Sequence, residues 1–399
     1  MIKIIRKDQC CGCSACLHIC PKHSISFRED KEGFLYPQVD TSTCVDCGLC
    51  ENVCPVLNQD EERMPLQVYA AKHTDDEIRM KSSSGGIFTL LAEQIIDKGG
   101  VVFGARFNEN WEVVHDYTET KEGLAPFRGS KYVQSNIGNS YKQVEKFLKA
   151  GREVMFTGTP CQVAGLKKYL RKDYENLLTV DFVCHGVPSP MVWRKYLKEE
   201  IARQGDVGKN SVLTSSKVSP VVTGVNFRDK STGWKKFSFV LNFSKASDEG
   251  EQNTVLSSVF TDNAYMNAFL SNLSLRPSCY ACPAKAGKSG SDLTIGDFWG
   301  IENVLTEFDD DKGSSLLFIN NDKVANMIDQ VRVKEQIEYK STLAANSCIC
   351  YSVNMPINRG YFYYCLSSSN LSVALAKTVT PTLMYRVRRL LYRKFHGIK

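Results

Sequence analysis

No apolar run in the 399-residue chain approaches the ~20 residues needed to cross a bilayer, so no transmembrane helix is expected. The opening segment, MIKIIRKDQC, lacks the apolar stretch of roughly 7–15 residues and the small-residue cleavage site of a secretory signal. A cytoplasmic protein is therefore expected. Excess charge is missing as well. The formal charge is +6, from 50 Lys and Arg against 44 Asp and Glu, but residues 381–399 hold six of the basic residues and no acid. The rest is formally neutral, which gives no reason to expect a nucleic-acid partner. Hydrophobic content of 43% suits a globular chain long enough for two or three domains.

Cysteine, by contrast, is abundant. Sixteen cysteines in an intracellular chain point to metal ligands or catalytic groups rather than disulfides. Nine lie within residues 10–54. With Cys11 set aside, Cys10, Cys13, Cys16, Cys20 and Pro21 space as C-x2-C-x2-C-x3-C-P, and Cys44, Cys47, Cys50, Cys54 and Pro55 repeat the pattern. Two such runs are the signature of a bacterial two-cluster ferredoxin. Three closely spaced thiolates wrap three corners of a cube, and the fourth comes from the other run. The first 4Fe–4S cluster would be held by Cys10, Cys13, Cys16 and Cys54, the second by Cys44, Cys47, Cys50 and Cys20. Zinc, with four ligands per site, does not explain the doubled run. Cys11 reads as a bystander, and His18 and His23 as surface residues. A module over 1–58 has little core, so the clusters should supply much of its stability. Between the runs, a hairpin turning at Gly33 is expected.

A polar linker follows over 59–66. Beyond it, strands at 68–72, 101–107, 112–117, 153–158 and 177–184 alternate with helices at 84–97, 140–150, 161–172 and 190–203. The alternation argues for an α/β domain with a largely parallel sheet. From 222 to 260 the pattern turns to strands, read as an antiparallel insertion. The expected fold is an α+β ferredoxin-type module followed by an α/β domain over 67–365, with parts 67–205 and 206–365 and a tail over 366–399.

Several loops carry chemistry. KSSSGGIFTLL opens a helix with serines and glycines, a place where exposed N–H groups and the helix dipole hold phosphate; an ordinary N-cap is the alternative. TGTPCQ and CHGVPS place Cys161 and Cys184 at strand ends, where ligands gather in α/β sheets. With the Cys279-x2-Cys282 pair they can close a further four-thiolate site of iron–sulfur, zinc or reactive-dithiol type. The ferredoxin runs upstream favour iron–sulfur. Cys348, Cys350 and Cys365 read as buried thiols.

KSSSGG, GSKY, TGTPCQ, CHGVPS, FRDKSTGW, RPSCYAC and SDLTIGDFWG, in this order, resemble the coenzyme F420 hydrogenase/dehydrogenase beta-subunit family. The resemblance spans roughly residues 65–365 together with the fused ferredoxin. It implies FAD in the α/β domain beside a third 4Fe–4S cluster, and two-electron chemistry on a small organic substrate. Carried over by position, Cys161, Cys184, Cys279 and Cys282 would hold the cluster. Ser84, Gly85, Gly86, Lys131, Thr157, Gly158 and Thr159 would contact FAD. Lys131 is a candidate for stabilising negative charge on the ring, and His185 for giving substrate a proton or a cluster sulfur a hydrogen bond. Asp292 and Asp297 would line the flavin side or cap turns. FRDKSTGW, with Arg228, Asp229, Lys230 and Trp234, reads as a substrate or partner loop or else a solvated hairpin, and Arg359 is equally open.

The tail, from Thr380 and Pro381, spaces Leu383, Val387, Leu390, Leu391 and Phe395 helically among basic residues, a pattern for packing on the protein itself or for peripheral contact with the inner membrane face. The reading is an iron–sulfur flavoprotein oxidoreductase exchanging electrons with a donor or acceptor protein. A deazaflavin reductase is the nearest alternative, then a non-catalytic electron-transfer adaptor or a zinc-stabilised binding module.

Overall fold

The computed structural model describes residues 1–207, 219–247 and 250–379. The basic amphipathic segment from Thr380 onward lies outside them. At the N-terminus, β1 (Ile25–Glu29) and β2 (Leu35–Val39) form the antiparallel hairpin expected between the cysteine runs, and Gly33 turns it at φ +85. That left-handed conformation costs glycine least.

The main sheet takes β3 (Gln67–Lys72), β4 (Val101–Phe107), β5 (Val113–Thr118), β6 (Val154–Gly158) and β7 (Leu177–Phe182) from the first half of the chain. The chain then leaves for an antiparallel three-stranded sheet of β8 (Val221–Asp229), β9 (Ser238–Ser247) and β10 (Gly250–Val259). It returns with β11 (Leu293–Asp297), β12 (Ser315–Ile319) and β13 (Val333–Gln336), giving the order β13-β3-β12-β11-β7-β6-β4-β5. Parallel pairing is confined to the central strands β4, β6, β7 and β11. Both flanks pair antiparallel, so a largely parallel sheet describes the centre only. Only short 3-10 turns lie between β11 and β12, with no helix to carry a crossover, and the chain turns back on itself.

Central strands are covered on both faces, and every residue of β12 is buried. Val102, Met155, Leu178 and Leu293 pack one way onto the helix Ile87–Asp97, through Leu91 and Ile95. Phe103 and Phe156, one residue along, point the other way onto Tyr141, Val144 and Leu166 of the helices Ser140–Lys149 and Pro160–Leu170. The same core takes in Cys13, Ala15 and Val53, so the ferredoxin module is docked on this helix layer. A Cβ on Gly165 would come within 2.7 Å of the Cys13 Cβ, which shows how closely the two pack. His18 is buried here against the stacked rings of Tyr141 and Tyr169, correcting the expectation of a surface residue, while His23 is exposed. Burial withdraws His18 from water, and it packs at a tilt of 51° against Tyr141 and edge-on at 68° against Tyr169. At the other side Arg359 pairs with Glu32 in the hairpin turn at 2.5 Å.

Candidate functional site

A cavity of about 560 Å³ opens at the carboxyl ends of β6, β7 and β11, within the range of small-molecule and cofactor sites. Ser82, Ser83, Ser84 and Gly86 form one wall, just before the helix Ile87–Asp97. Gly86 adopts φ +86 at the start of that helix. Gly85 does not face the cavity: its N–H donates to Ser315 Oγ at 2.9 Å, and a Cβ there would strike the Ala71 carbonyl at 2.5 Å. Its role is close backbone packing on the sheet. The Ser84 hydroxyl is likewise engaged, donating to the Ser314 carbonyl at 2.8 Å.

Thr157, Gly158 and Thr159 line the opposite wall. Thr159 caps the helix Pro160–Leu170 with Gln162, and its hydroxyl lies 3.2 Å from Cys161 Sγ. Lys131 also faces the cavity, with Nζ donating to the carbonyls of Arg128 at 2.9 Å and Gly129 at 3.2 Å. No carboxylate pairs with it among the described residues, and burial lowers its ammonium to about 7.

Asp297 lines the cavity, but its carboxylate is held by Arg228 at 2.8 Å and by Trp234 Nε1 at 3.3 Å. Asp292 stands apart, accepting from the Thr179 N–H and hydroxyl at 2.7 Å, and links β7 to β11. The FRDKSTGW segment is neither a solvated hairpin nor a free loop. Arg228, Lys230 and Trp234 are buried, and Lys230 Nζ ties the carbonyls of Arg79, Ser84 and Lys312 together. It braces the wall that carries Ser84.

His185 lines the cavity with both nitrogens engaged. Nε2 lies 2.6 Å from Asn272 Oδ1 and Nδ1 3.6 Å from Cys348 Sγ. With Nε2 donating to the amide oxygen, Nδ1 is left to accept from the thiol. Cys348 is therefore a cavity residue, which its isolated place in the sequence concealed. Lys285 reinforces the corner by donating to the carbonyls of Cys184 and Cys348 at 2.5 and 2.6 Å.

His115 closes the floor, its Nε2 3.0 Å from the Thr157 carbonyl and its Nδ1 without a partner among the described residues. Burial lowers the imidazole to about 4. Only the unfolded chain takes up a proton as pH falls from about 6.5 towards 4, so stability is complete above this window and falls within it, by about 1.4 kcal/mol per pH unit. Denaturant titrations between about pH 7.5 and 5 should give a shallower pH dependence for His115→Gln than for the unaltered chain; equal slopes would refute this assignment.

The thiols gather in three places. Cys20, Cys44, Cys47 and Cys50 line one small surface cavity. Cys10, Cys13, Cys16 and Cys54 are buried, with Cys16 close enough to feel the charges of Cys10 and Cys54. Cys184 lies among Cys161, Cys279 and Cys282 in the same sense, and it alone of these four lines the large cavity. Cys11 is buried against both Cys13 and Cys161, between the inner two groups rather than off to one side. Burial pushes Cys279 up to about 12 and Cys282 to about 11. Thiols held so far from ionisation must give up their protons before they can ligate a metal. Among the described residues no three His, Cys, Asp or Glu converge as ligands of a single ion do.

Comparison with known proteins matches three stretches of the chain. The coenzyme F420 hydrogenase/dehydrogenase beta subunit matches by its N-terminal part over residues 68–141 and its C-terminal part over 151–344. A 4Fe-4S dicluster domain matches residues 9–58. The chain is 28% identical over 172 residues to one of the subunits of the F(420)H(2) dehydrogenase of Methanosarcina mazei, covering 40% of this chain and 48% of that protein. It is 23% identical over 200 residues to the coenzyme F420-dependent sulfite reductase of Methanocaldococcus jannaschii, covering 49% of this chain and 30% of that protein. It thus spans about half or less of these relatives. A protein of the F420-reducing NiFe hydrogenase complex of Methanosarcina barkeri aligns over 72% of this chain and 88% of its own length, at 17% identity and a TM-score of 0.45, a likeness too slight to carry an argument. No described helix is long and apolar enough to cross a membrane. With both parts of the subunit matched in order behind a dicluster domain, the chain belongs to the coenzyme F420 hydrogenase/dehydrogenase beta-subunit family.

Proposed function

We propose that the chain is an iron–sulfur flavoprotein oxidoreductase with three 4Fe–4S clusters and one FAD. The observation that carries the reading is Cys184, which lies within electrostatic reach of Cys161, Cys279 and Cys282 and also lines the large cavity. FAD, when bound, exchanges single electrons with iron–sulfur clusters and electron pairs with organic molecules.

The cavity fits such a group by volume and by Lys131, which has no carboxylate partner among the described residues. Backbone of the Ser82–Gly86 segment and of Thr157–Thr159 would cradle it from two sides. Ser84 and Asp297 would shape the walls, since their polar atoms are already satisfied within the protein. Lys131 would hold a positive charge against an anionic ligand, present below about pH 7 in the free cavity and raised by the ligand's own charge. His185, fixed by Asn272 and Cys348, would orient the corner beside Cys184. The cysteine groups run inward: one at the surface around the exposed Cys47, one buried, and one at the cavity. A protein electron partner is proposed at the surface group and an organic partner at the cavity. Coenzyme F420 is the first organic partner to test, because the relatives are named for it.

Iron, zinc and flavin content of protein purified without oxygen tests the reading. About twelve irons and one FAD per chain are expected; about eight irons with one zinc and no flavin would refute it. Lys131→Met should keep its iron while turnover with the organic partner falls about 10²-fold, the size of effect seen when one charge-stabilising donor is removed. Unchanged turnover would remove Lys131 from the site.

A further inference from the structure

Arg276 is fully buried, yet no carboxylate lies within 4.0 Å of it among the described residues. A guanidinium stays charged in any protein environment. A charge withdrawn from water and left unpaired is costly, so a counter-charge is required. The contacts show where it comes from. Nε donates to the Cys10 carbonyl at 2.7 Å, Nη1 to Gln134 Oε1 at 2.9 Å, and Nη2 to the Leu35 carbonyl at 2.8 Å. Nη2 also reaches Cys10 Sγ at 3.5 Å. The ring of Tyr36 covers the guanidinium at 4.4 Å. The backbone of the same residue serves the other group: its carbonyl accepts from the Cys279 N–H at 2.9 Å, at the start of the turn Pro277–Ala281. Gly12 makes room, at φ +74, since a Cβ there would meet Nη1 at 2.8 Å.

We propose that Arg276 sets the reduction potentials of the first ferredoxin cluster and, less strongly, of the inner one, by fixing a permanent positive charge between Cys10 and the Cys279 turn. The anionic cluster held by Cys10 is the missing counter-charge. Each reduction adds one electron and one negative charge to a cluster, with no proton needed, and a fixed cation beside it favours the reduced form. Arg276 is a positioning residue that also docks the ferredoxin module on the body. The part concerning the inner cluster rests on the function proposed above.

The test is a spectroscopically monitored redox titration of the full chain, prepared without oxygen and reduced with dithionite. In Arg276→Gln the first cluster's reduction equilibrium should fall about tenfold or more, about 59 mV for a one-electron couple. The inner cluster should fall less and the surface cluster held by Cys44, Cys47, Cys50 and Cys20 should not move. Arg276→Lys, which keeps the charge, should restore most of the shift. If Arg276→Gln fails to hold its iron, Gln134→Glu offers the same test by placing a carboxylate on Nη1, and it should lower the same potentials. An iron-replete variant with no shifted potential overturns the proposal, as does a lysine variant that falls as far as the glutamine one. Eight irons in the unaltered chain would refute the inner cluster while leaving the first cluster's shift to decide the role of Arg276.

Discussion

Replacing Cys279 by serine is expected to lower iron from about twelve to about eight per chain and to leave the ferredoxin irons in place. Cys279 sits in the short turn Pro277–Ala281, where its sulfur also accepts from the Val187 N–H at 3.4 Å. Cys161 and Cys184 come from distant segments of the chain, whereas Cys282 caps the end of the same turn, and Cys184 lies close enough to feel the charges of the other three thiols. With one ligand gone, the remaining thiols are buried and held protonated; Cys282 already stands at about 11. Protonated thiols do not ligate, and metal affinity falls steeply when they must first ionise. Because metal binding contributes folding free energy, the variant should also melt at a lower temperature. Iron analysis beside the visible spectrum decides the matter: a Cys279→Ser chain with its full twelve irons would remove Cys279 from the ligand set.

Arg359→Ala is expected to cost about 3 kcal/mol and to loosen the ferredoxin module from the body. The guanidinium reaches Glu32 through both Nη atoms, while Nε donates to the Tyr280 hydroxyl at 3.0 Å and Nη2 to the Leu275 carbonyl at 2.9 Å. Arg359 is 9% exposed and Glu32 25%, so truncating the arginine leaves a carboxylate largely withdrawn from water without its partner. The same turn is clamped by Ser189, which donates to the Glu32 carbonyl, and by Gly33, whose missing side chain lets Met191 approach. Denaturant unfolding should show the loss, and hydrogen exchange should rise in β1 and β2 before it rises in the main sheet. In a double-mutant cycle with Glu32→Ala the two changes should be strongly non-additive. A loss under about 0.5 kcal/mol would mean that the pair is an ordinary surface contact.

The hairpin, the strands and helices of residues 67–205 and the antiparallel strands after 221 were legible because each is specified by its own local period. β11, β12 and β13 were not. β11 and β13 are short, and β12 is a continuous apolar run whose place between β3 and β11 depends on a partner more than 200 residues away. The cysteine runs were legible for the same local reason, since spacing alone wraps a cluster. His18 was misread because nothing nearby shows that Tyr141 and Tyr169 close over it. Gly85 stands inside a glycine-rich motif, yet its backbone faces the sheet, a distinction of one residue that only the turn geometry resolves.

By itself, then, the sequence pointed to iron–sulfur chemistry for the thiols and revealed the order of the modules and the loops that meet at the strand ends, because these follow from short-range spacing and periodicity. The tertiary structure alone decided which group of thiols faces outward, which cysteine borders the cavity, and which charges are spent. Asp297 was left between lining the flavin side and capping a turn, and the fold sets Arg228, 69 residues away, on its carboxylate. Arg276 stands in the RPSCYAC stretch with no role legible there, and folding carries it to Cys10 across 266 positions. Burial and pairing are properties of the assembled core, where desolvation makes each charge choose a partner, and no local pattern encodes that choice.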